Sequence, residues 1–289
     1  MCDELTAQDN QRTGATRREF GIGMSVASLA MLLPSPADAL TVTGRDVTVA
    51  TADGTADAYY IAPASGRHPA VLMWPDIMGL RPAFQQMARR LAESGYAVLV
   101  VNQFYRSTKA PFVKPGESFD QPAVRERITP WRATLTPAAT TSDAAAFVAW
   151  LDKQPQVDTR RGMAVTGYCM GGPMMMRTAA THPARVRAGA SFHGAGLVGD
   201  AADAPDKLIP RMKGGYLIAI ATNDDQRAPG DKDVLRAAFA AAKLPAEIEV
   251  YEGAMHGWCP PDSKAYNQPQ AERAWTRQLA LFTRQLGKA

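Results

Sequence analysis

The segment Gly167-Tyr168-Cys169-Met170-Gly171-Gly172 holds a thiol with glycine two residues to either side. It follows the apolar run Met163–Thr166 and opens a helical stretch. That is the pattern of a sharp strand-to-helix turn that exposes a nucleophile, with glycine where any side chain would strike neighbouring backbone. The positive end of the next helix favours the thiolate, which is the attacking species. A nucleophile of this kind needs a base, and the chain has four histidines, His68, His182, His193 and His256. His68 sits in a polar turn and His182 precedes Pro183, so both read as solvated. His193 ends the apolar run Ala188–Phe192, near the rim of any pocket, and His256 lies in the loop Gly253-Ala254-Met255-His256-Gly257-Trp258. His256 is the preferred base. Between nucleophile and histidine stands Thr222-Asn223-Asp224-Asp225-Gln226-Arg227-Ala228-Pro229, where either aspartate could orient an imidazole. The chemistry these residue types allow is nucleophilic attack by sulfur with general-base help.

The elements that must position them alternate. Asp46–Thr51 and Asp57–Ala62 read as a hairpin around Ala52-Asp53-Gly54. Ala70–Trp74 and Ala97–Val101 are continuous apolar strands, separated by a helix over Arg81–Ser94 with Pro82 in its first turn. Helix Ser142–Lys153, strand Met163–Thr166, helix Gly172–Thr181 and strand Ala188–Phe192 follow. Strand Tyr216–Ala221, helix Lys232–Lys243, strand Glu247–Tyr251 and a last helix near Gln270–Leu286 complete the series. Strands separated by single helices predict an α/β chain with a mostly parallel central sheet and helices on both faces. One stretch, Tyr105–Pro137, breaks the alternation and reads as structureless, either a lid or binding loop or a padded surface insertion.

With the order nucleophile, acid, histidine in place, the sequence resembles the dienelactone hydrolase family of the α/β-hydrolase superfamily, over about Thr48 to Phe282. The resemblance rests on the cysteine elbow Gly167–Gly172, on Asp225-Gln226-Arg227-Ala228-Pro229 and on Met255-His256-Gly257-Trp258. It implies the α/β-hydrolase fold and hydrolysis of carboxylic esters or lactones through a thioester acyl-enzyme, with no cofactor and no metal. Its acid motif selects Asp225, so the implied triad is Cys169, Asp225 and His256. The backbone N–H groups of Ile77 and Met170 match the family's oxyanion hole. Asp76 stands where the family usually has glutamate, the carboxylate that holds the resting thiol. Of the family's two carboxylate-binding arginines, the first has a counterpart in Arg106; after His256 the chain continues Gly257-Trp258-Cys259-Pro260-Pro261, with no second cation. Trp258 and the lid aromatics Phe112, Phe119 and Trp131 offer apolar surface instead. His193 joins Arg106 and Trp258 as a substrate-binding candidate. These residues predict that uncharged or aromatic esters and lactones are turned over at least as well as carboxylate-bearing dienelactones.

The first residues read as an address. Arg17-Arg18 precedes an apolar stretch Gly21–Leu33, then Pro34-Ser35-Pro36 and Ala37-Asp38-Ala39. That order is a twin-arginine export signal, cleaved after Ala39, and the apolar stretch is too short to span a bilayer. The expected organisation is a signal peptide over 1–39 and one domain over 40–289, with an insertion about 105–137. The expected location is the periplasm, with the export machinery as a partner and no stable membrane anchor. The composition, 46% hydrophobic and 21% charged, excludes a disordered or collagen-like chain. A net charge of +4, spread without a basic block, gives no case for nucleic acid. Two rival classes stand beside the hydrolase: a non-catalytic binding module on the same fold, and a thiol redox protein pairing Cys169 with Cys259.

Overall fold

A strand that is apolar at every position is stable only if both of its faces are covered. The computed structural model, which describes residues 33–287, builds its centre from such strands. In chain order the elements are β1 (Val42–Thr51), β2 (Gly54–Pro63), β3 (Ala70–Trp74), α1 (Pro82–Glu93), β4 (Ala97–Val101), α2 (Pro122–Arg132) and α3 (Pro137–Asp152). Then follow β5 (Met163–Tyr168), α4 (Gly171–Thr181), β6 (Val186–Phe192), α5 (Pro205–Leu208) and β7 (Gly215–Ala221). The last are α6 (Thr222–Arg227), α7 (Asp231–Ala241), β8 (Ala246–Tyr251) and α8 (Gln268–Leu286). They form one eight-stranded sheet in the order β1-β2-β4-β3-β5-β6-β7-β8. β1 and β2 are antiparallel to their neighbours, and every pair from β4 to β8 is parallel.

β3, β4 and β5 are buried at every position. One core cluster packs α3 and α4 on one face, through Phe147, Leu151, Met175 and Met176. The other packs α1 and α8 on the opposite face, through Phe84, Leu91, Leu281 and Phe282. Side chains of this size contribute about 1.5–3 kcal/mol each when fully buried, so the two layers supply the main force for closing the sheet.

β3 lies between β4, reached by one crossover, and β5, which starts the run to the other edge. Where the strand order reverses in this way, the loops at the carboxyl ends diverge and leave a crevice. The ends of β3, β5, β6, β7 and β8 all open on that side, and they carry Ile77, Cys169, His193, Asp224 and His256.

Two expectations for the elements are corrected. The stretch 105–137 is not structureless: Pro122 starts α2, and Val124 and Ile128, four residues apart, bury its inner face. Pro130 near its end and the many charged residues mask that weak periodicity in the sequence. α3 begins at Pro137 rather than Ser142, because the Thr136 hydroxyl caps it, accepting the Ala139 N–H at 3.1 Å. Among the described residues no helix is long and apolar enough to cross a membrane. The Arg17-Arg18 pair and Cys2 lie outside the described residues.

Candidate active site

At the end of β5 the chain turns so sharply that Cys169 takes φ = 54°, a left-handed conformation that non-glycine residues rarely hold. The turn is pinned on both sides. The Cys169 N–H donates to the Phe192 carbonyl at 3.0 Å, and the Cys169 carbonyl accepts the Gly172 N–H at 3.0 Å. A methyl group on Gly167 would collide with the Gly171 carbonyl, and one on Gly171 with the Trp74 carbonyl at the end of β3. Glycine is therefore required at both places, and its absence of bulk lets α4 start directly against the β3 loop. Cys169 is almost completely buried, packed with Ile77, Phe104, Val124 and Ile128.

The β3 loop is equally constrained. The Asp76 carbonyl accepts the Gly79 N–H at 2.9 Å and Gln103 Nε2 at 2.7 Å, and Asp76 Oδ1 accepts the Met78 N–H at 2.9 Å. These bonds fix the peptide of Ile77 between them. The turns and caps of the described residues make no use of the Ile77 or Met170 amide. Two such amides on either side of a nucleophile are what a developing oxyanion requires.

His256 is held by three successive residues of α6. The Thr222 N–H donates to the Ala254 carbonyl at 2.8 Å, and the Thr222 hydroxyl donates to Tyr251 and accepts from the Gly253 N–H. Asn223 Oδ1 accepts the His256 N–H at 2.8 Å. Asp224 Oδ2 lies 2.7 Å from His256 Nδ1. The imidazole's carboxylate is thus Asp224. Asp225, the residue expected there, binds Lys232 Nζ instead, at 2.6 and 2.8 Å. The cause is local. The segment after β7 is a helix, and one residue along a helix turns the side chain by about 100°. The carboxylate that follows the sequence motif therefore faces α7, and its neighbour faces the histidine.

His193 is at the site but not at its rim. It is fully buried, with φ = 41°, its N–H donating to the Ala219 carbonyl at 2.8 Å. Its ring stands edge-to-face against His256, with centroids 5.1 Å apart, and against Trp258 at 5.0 Å. Neither ring nitrogen has a hydrogen-bond partner. Burial, and then the neighbouring His256, push its pKa well below the usual 6.5, so it stays neutral. Trp258 is corrected in the same way: Gly257, at φ = 94°, turns the chain inward, and the fully buried indole stacks on Tyr251 at 5.3 Å. Neither side chain offers a surface to substrate.

Arg106 is committed elsewhere. It bonds Asp143 through Nη1 and Nη2 at 2.7 and 2.9 Å, and Asp53 through Nε and the same Nη2 at 2.9 and 2.6 Å. Asp76 is committed as well. Its two oxygens take Arg81 Nη1 and Nη2 at 2.7 and 3.0 Å, so its bonds go to arginine and the Met78 amide rather than to Cys169. Arg81 had no functional reading from sequence, and only its place five residues past Asp76 hinted at one. The aromatic cover does gather over the site. Phe112 and Trp131 meet edge-to-face at 5.2 Å and both pack on Phe104, while Phe119 joins the cluster that contains Cys169 and Ile77. Phe112 also seats on Gly79, where a methyl group would strike its ring.

Cys259 is a buried free thiol whose pKa burial drives well above 9, the opposite of what a resolving thiol needs. It is not joined to Cys169. Among the described residues no group of three or more histidine, cysteine or carboxylate side chains is placed to hold a metal ion.

The strand order, the elbow after β5 and the histidine loop after β8 define an α/β hydrolase. Residues 56–286 match the dienelactone hydrolase family. The chain belongs to that family and is an ester or lactone hydrolase. A "Putative carboxymethylenebutenolidase" of Methylorubrum extorquens is 27% identical over 280 residues, covering 95% of this chain and 92% of that protein. The "Carboxymethylenebutenolidase" of Rhodococcus opacus is 28% identical over 247 residues, covering 81% of this chain and 88% of that protein. Among solved structures, a putative dienelactone hydrolase from Klebsiella pneumoniae subsp. pneumoniae superposes with a TM-score of 0.72. It is 23% identical and covers 84% of this chain and 99% of its own.

Proposed function

We propose that this enzyme hydrolyses uncharged carboxylic esters or lactones through a covalent thioester on Cys169, with His256 as base and Asp224 behind it. The observation that carries the reading is the 2.7 Å bond from Asp224 to His256 Nδ1, on the same rim of the sheet as the strained Cys169 turn. Asp224 on Nδ1 orients the imidazole so that Nε2 carries the proton in the transfer steps. The Cys169 thiolate adds to the substrate carbonyl, and the electron pair moves to the carbonyl oxygen, stabilised by the Ile77 and Met170 amides. The intermediate collapses, and the leaving alkoxide takes a proton from the His256 imidazolium. Water then gives a proton to His256 and attacks the thioester, releasing the acid and regenerating thiolate and imidazolium.

The test is turnover of a panel of neutral esters and lactones by the enzyme under reducing conditions. Cys169→Ala is expected to abolish turnover and Cys259→Ala to retain most of it. Substantial turnover by Cys169→Ala would contradict the reading.

The location is proposed on sequence grounds: export by the twin-arginine route, cleavage after Ala39, and work in the periplasm. Ala37, Asp38 and Ala39 are exposed, as a processing site must be. Replacing Arg17 and Arg18 with lysine is expected to leave uncleaved protein in the cytoplasm, and an unchanged yield of protein starting at Leu40 would refute the export reading.

A further inference from the structure

The acyl-transfer scheme above gives Arg81 no part, yet this side chain is only 6% exposed and is bonded on two edges. Nη1 and Nη2 take the two oxygens of Asp76, and Nε and Nη2 take those of Asp262 at 2.7 and 2.9 Å. Nη1 also reaches the Gly79 carbonyl at 3.2 Å, and the guanidinium lies 5.0 Å over the Phe84 ring. Burial by itself would lower the pKa of Arg81, but the two carboxylates outweigh it and raise it, so the charge is fixed. A planar guanidinium with two usable edges suits this double grip, and lysine would not reproduce it.

The two carboxylates belong to different parts of the site. Asp76 immediately precedes Ile77, one of the two proposed oxyanion donors. Asp262 lies six residues after His256, on the loop that carries the base. No other hydrogen bond among the described residues joins 75–81 to 252–267. The histidine loop is tied to β7 through α6, but towards β3 this guanidinium is its tie. We infer that Arg81 is a positioning residue that holds the oxyanion loop and the histidine loop at a fixed separation across Cys169, with Asp262 as the second anchor. This rests on the proposed roles of Ile77 and His256. Small errors in such a separation are costly, because a misplacement of about 1 Å can lower a rate by about 100-fold.

Asp262 is the side to test, because its side chain is 46% exposed and its loss leaves the core intact. The competing view is that Arg81–Asp262 is an ordinary surface ion pair, worth about 0–1 kcal/mol and irrelevant to catalysis. Asp262→Ala is expected to lower kcat about 10-fold or more with KM changed less than about 3-fold, and Asp262→Glu to restore most of the loss. Hydrogen exchange at the amides of Ile77 to Gly79 is expected to quicken in Asp262→Ala. Alkylation of Cys169 is expected to keep its wild-type rate, which separates this result from a failure of the nucleophile itself. Faster exchange with unchanged kcat would mean the tie positions nothing that matters, and the inference falls. A loss confined to KM would make Asp262 a substrate contact, and a lower kcat without faster exchange would assign it some other role; either result overturns the inference.

Discussion

At the scale of single residues, the two adjacent aspartates separate cleanly. Asp224 faces His256 and Asp225 faces Lys232, both at hydrogen-bonding distance. Asp224→Asn keeps the shape but no longer stabilises the imidazolium or its tautomer, and is expected to lower kcat/KM about 10³- to 10⁴-fold. Asp225→Asn removes a partly exposed ion pair and is expected to stay within about 3-fold of wild type, at a stability cost of about 0–1 kcal/mol. Steady-state kinetics on the two variants decides which carboxylate serves the base. His193 makes a second prediction, on stability. Its folded pKa lies well below 6.5, so between that value and about 6.5 the unfolded chain binds a proton that the folded one refuses. The unfolded state therefore gains protons as pH falls, and stability is lost downward from about pH 6.5, by at most about 1.4 kcal/mol per pH unit. His193→Phe keeps a ring against His256 and Trp258 but removes the titration. Denaturant unfolding at pH 7.5 and 5.5 is expected to show a shallower loss in the variant, and an equal loss would mean His193 is not held neutral.

At the scale of elements, what was legible followed the strength of the local signal. β3 and β4 run over the residues their apolar composition predicts, because a strand buried on both faces leaves no polar position to blur its ends. The elbow was legible because its glycines answer a steric demand made within a few residues. Gly171→Ala tests that demand: its methyl group would meet the carbonyls of Trp74 and Pro75, which are backbone and cannot step aside. The variant is expected to lose about 1–3 kcal/mol of stability in denaturant unfolding, with most of its activity, and a neutral result would deny the close seating of α4 on β3. What was not legible depended on rotation or on distance along the chain. The one-residue choice between Asp224 and Asp225 turns on α6 being helical, a state that six polar and charged residues do not announce. The grip of Arg81 on Asp262 joins positions 181 residues apart. His193 and Trp258 were placed on the right loops but assigned the wrong surroundings, since the sequence orders the strands without showing which loop side chains fold beneath the rim.

At the scale of the whole molecule, the site is roofed by aromatic side chains and its arginines are already paired. Two arginines are each held by two aspartates, Arg81 by Asp76 and Asp262, Arg106 by Asp53 and Asp143, and Arg227 lies 3.8 Å from Asp224. A substrate carboxylate would have to displace one of these, while Phe104, Phe112 and Trp131 cover Cys169 with apolar surface. For a matched pair of substrates differing only in a carboxylate, kcat/KM is expected to favour the neutral member or to differ little. A preference above about 100-fold for the acid, about 2.7 kcal/mol, would show that an arginine is released on binding. The central claim is that the reaction passes through a thioester on the elbow cysteine. Rapid acid quench of the reduced enzyme turning over a slow aromatic ester, followed by intact-mass and peptide mass spectrometry, tests it directly. The account predicts one acyl group, mapped to Cys169, and more of it when Asp224→Asn slows deacylation; acyl-free enzyme during full turnover, or an acyl group on any other residue, would contradict it.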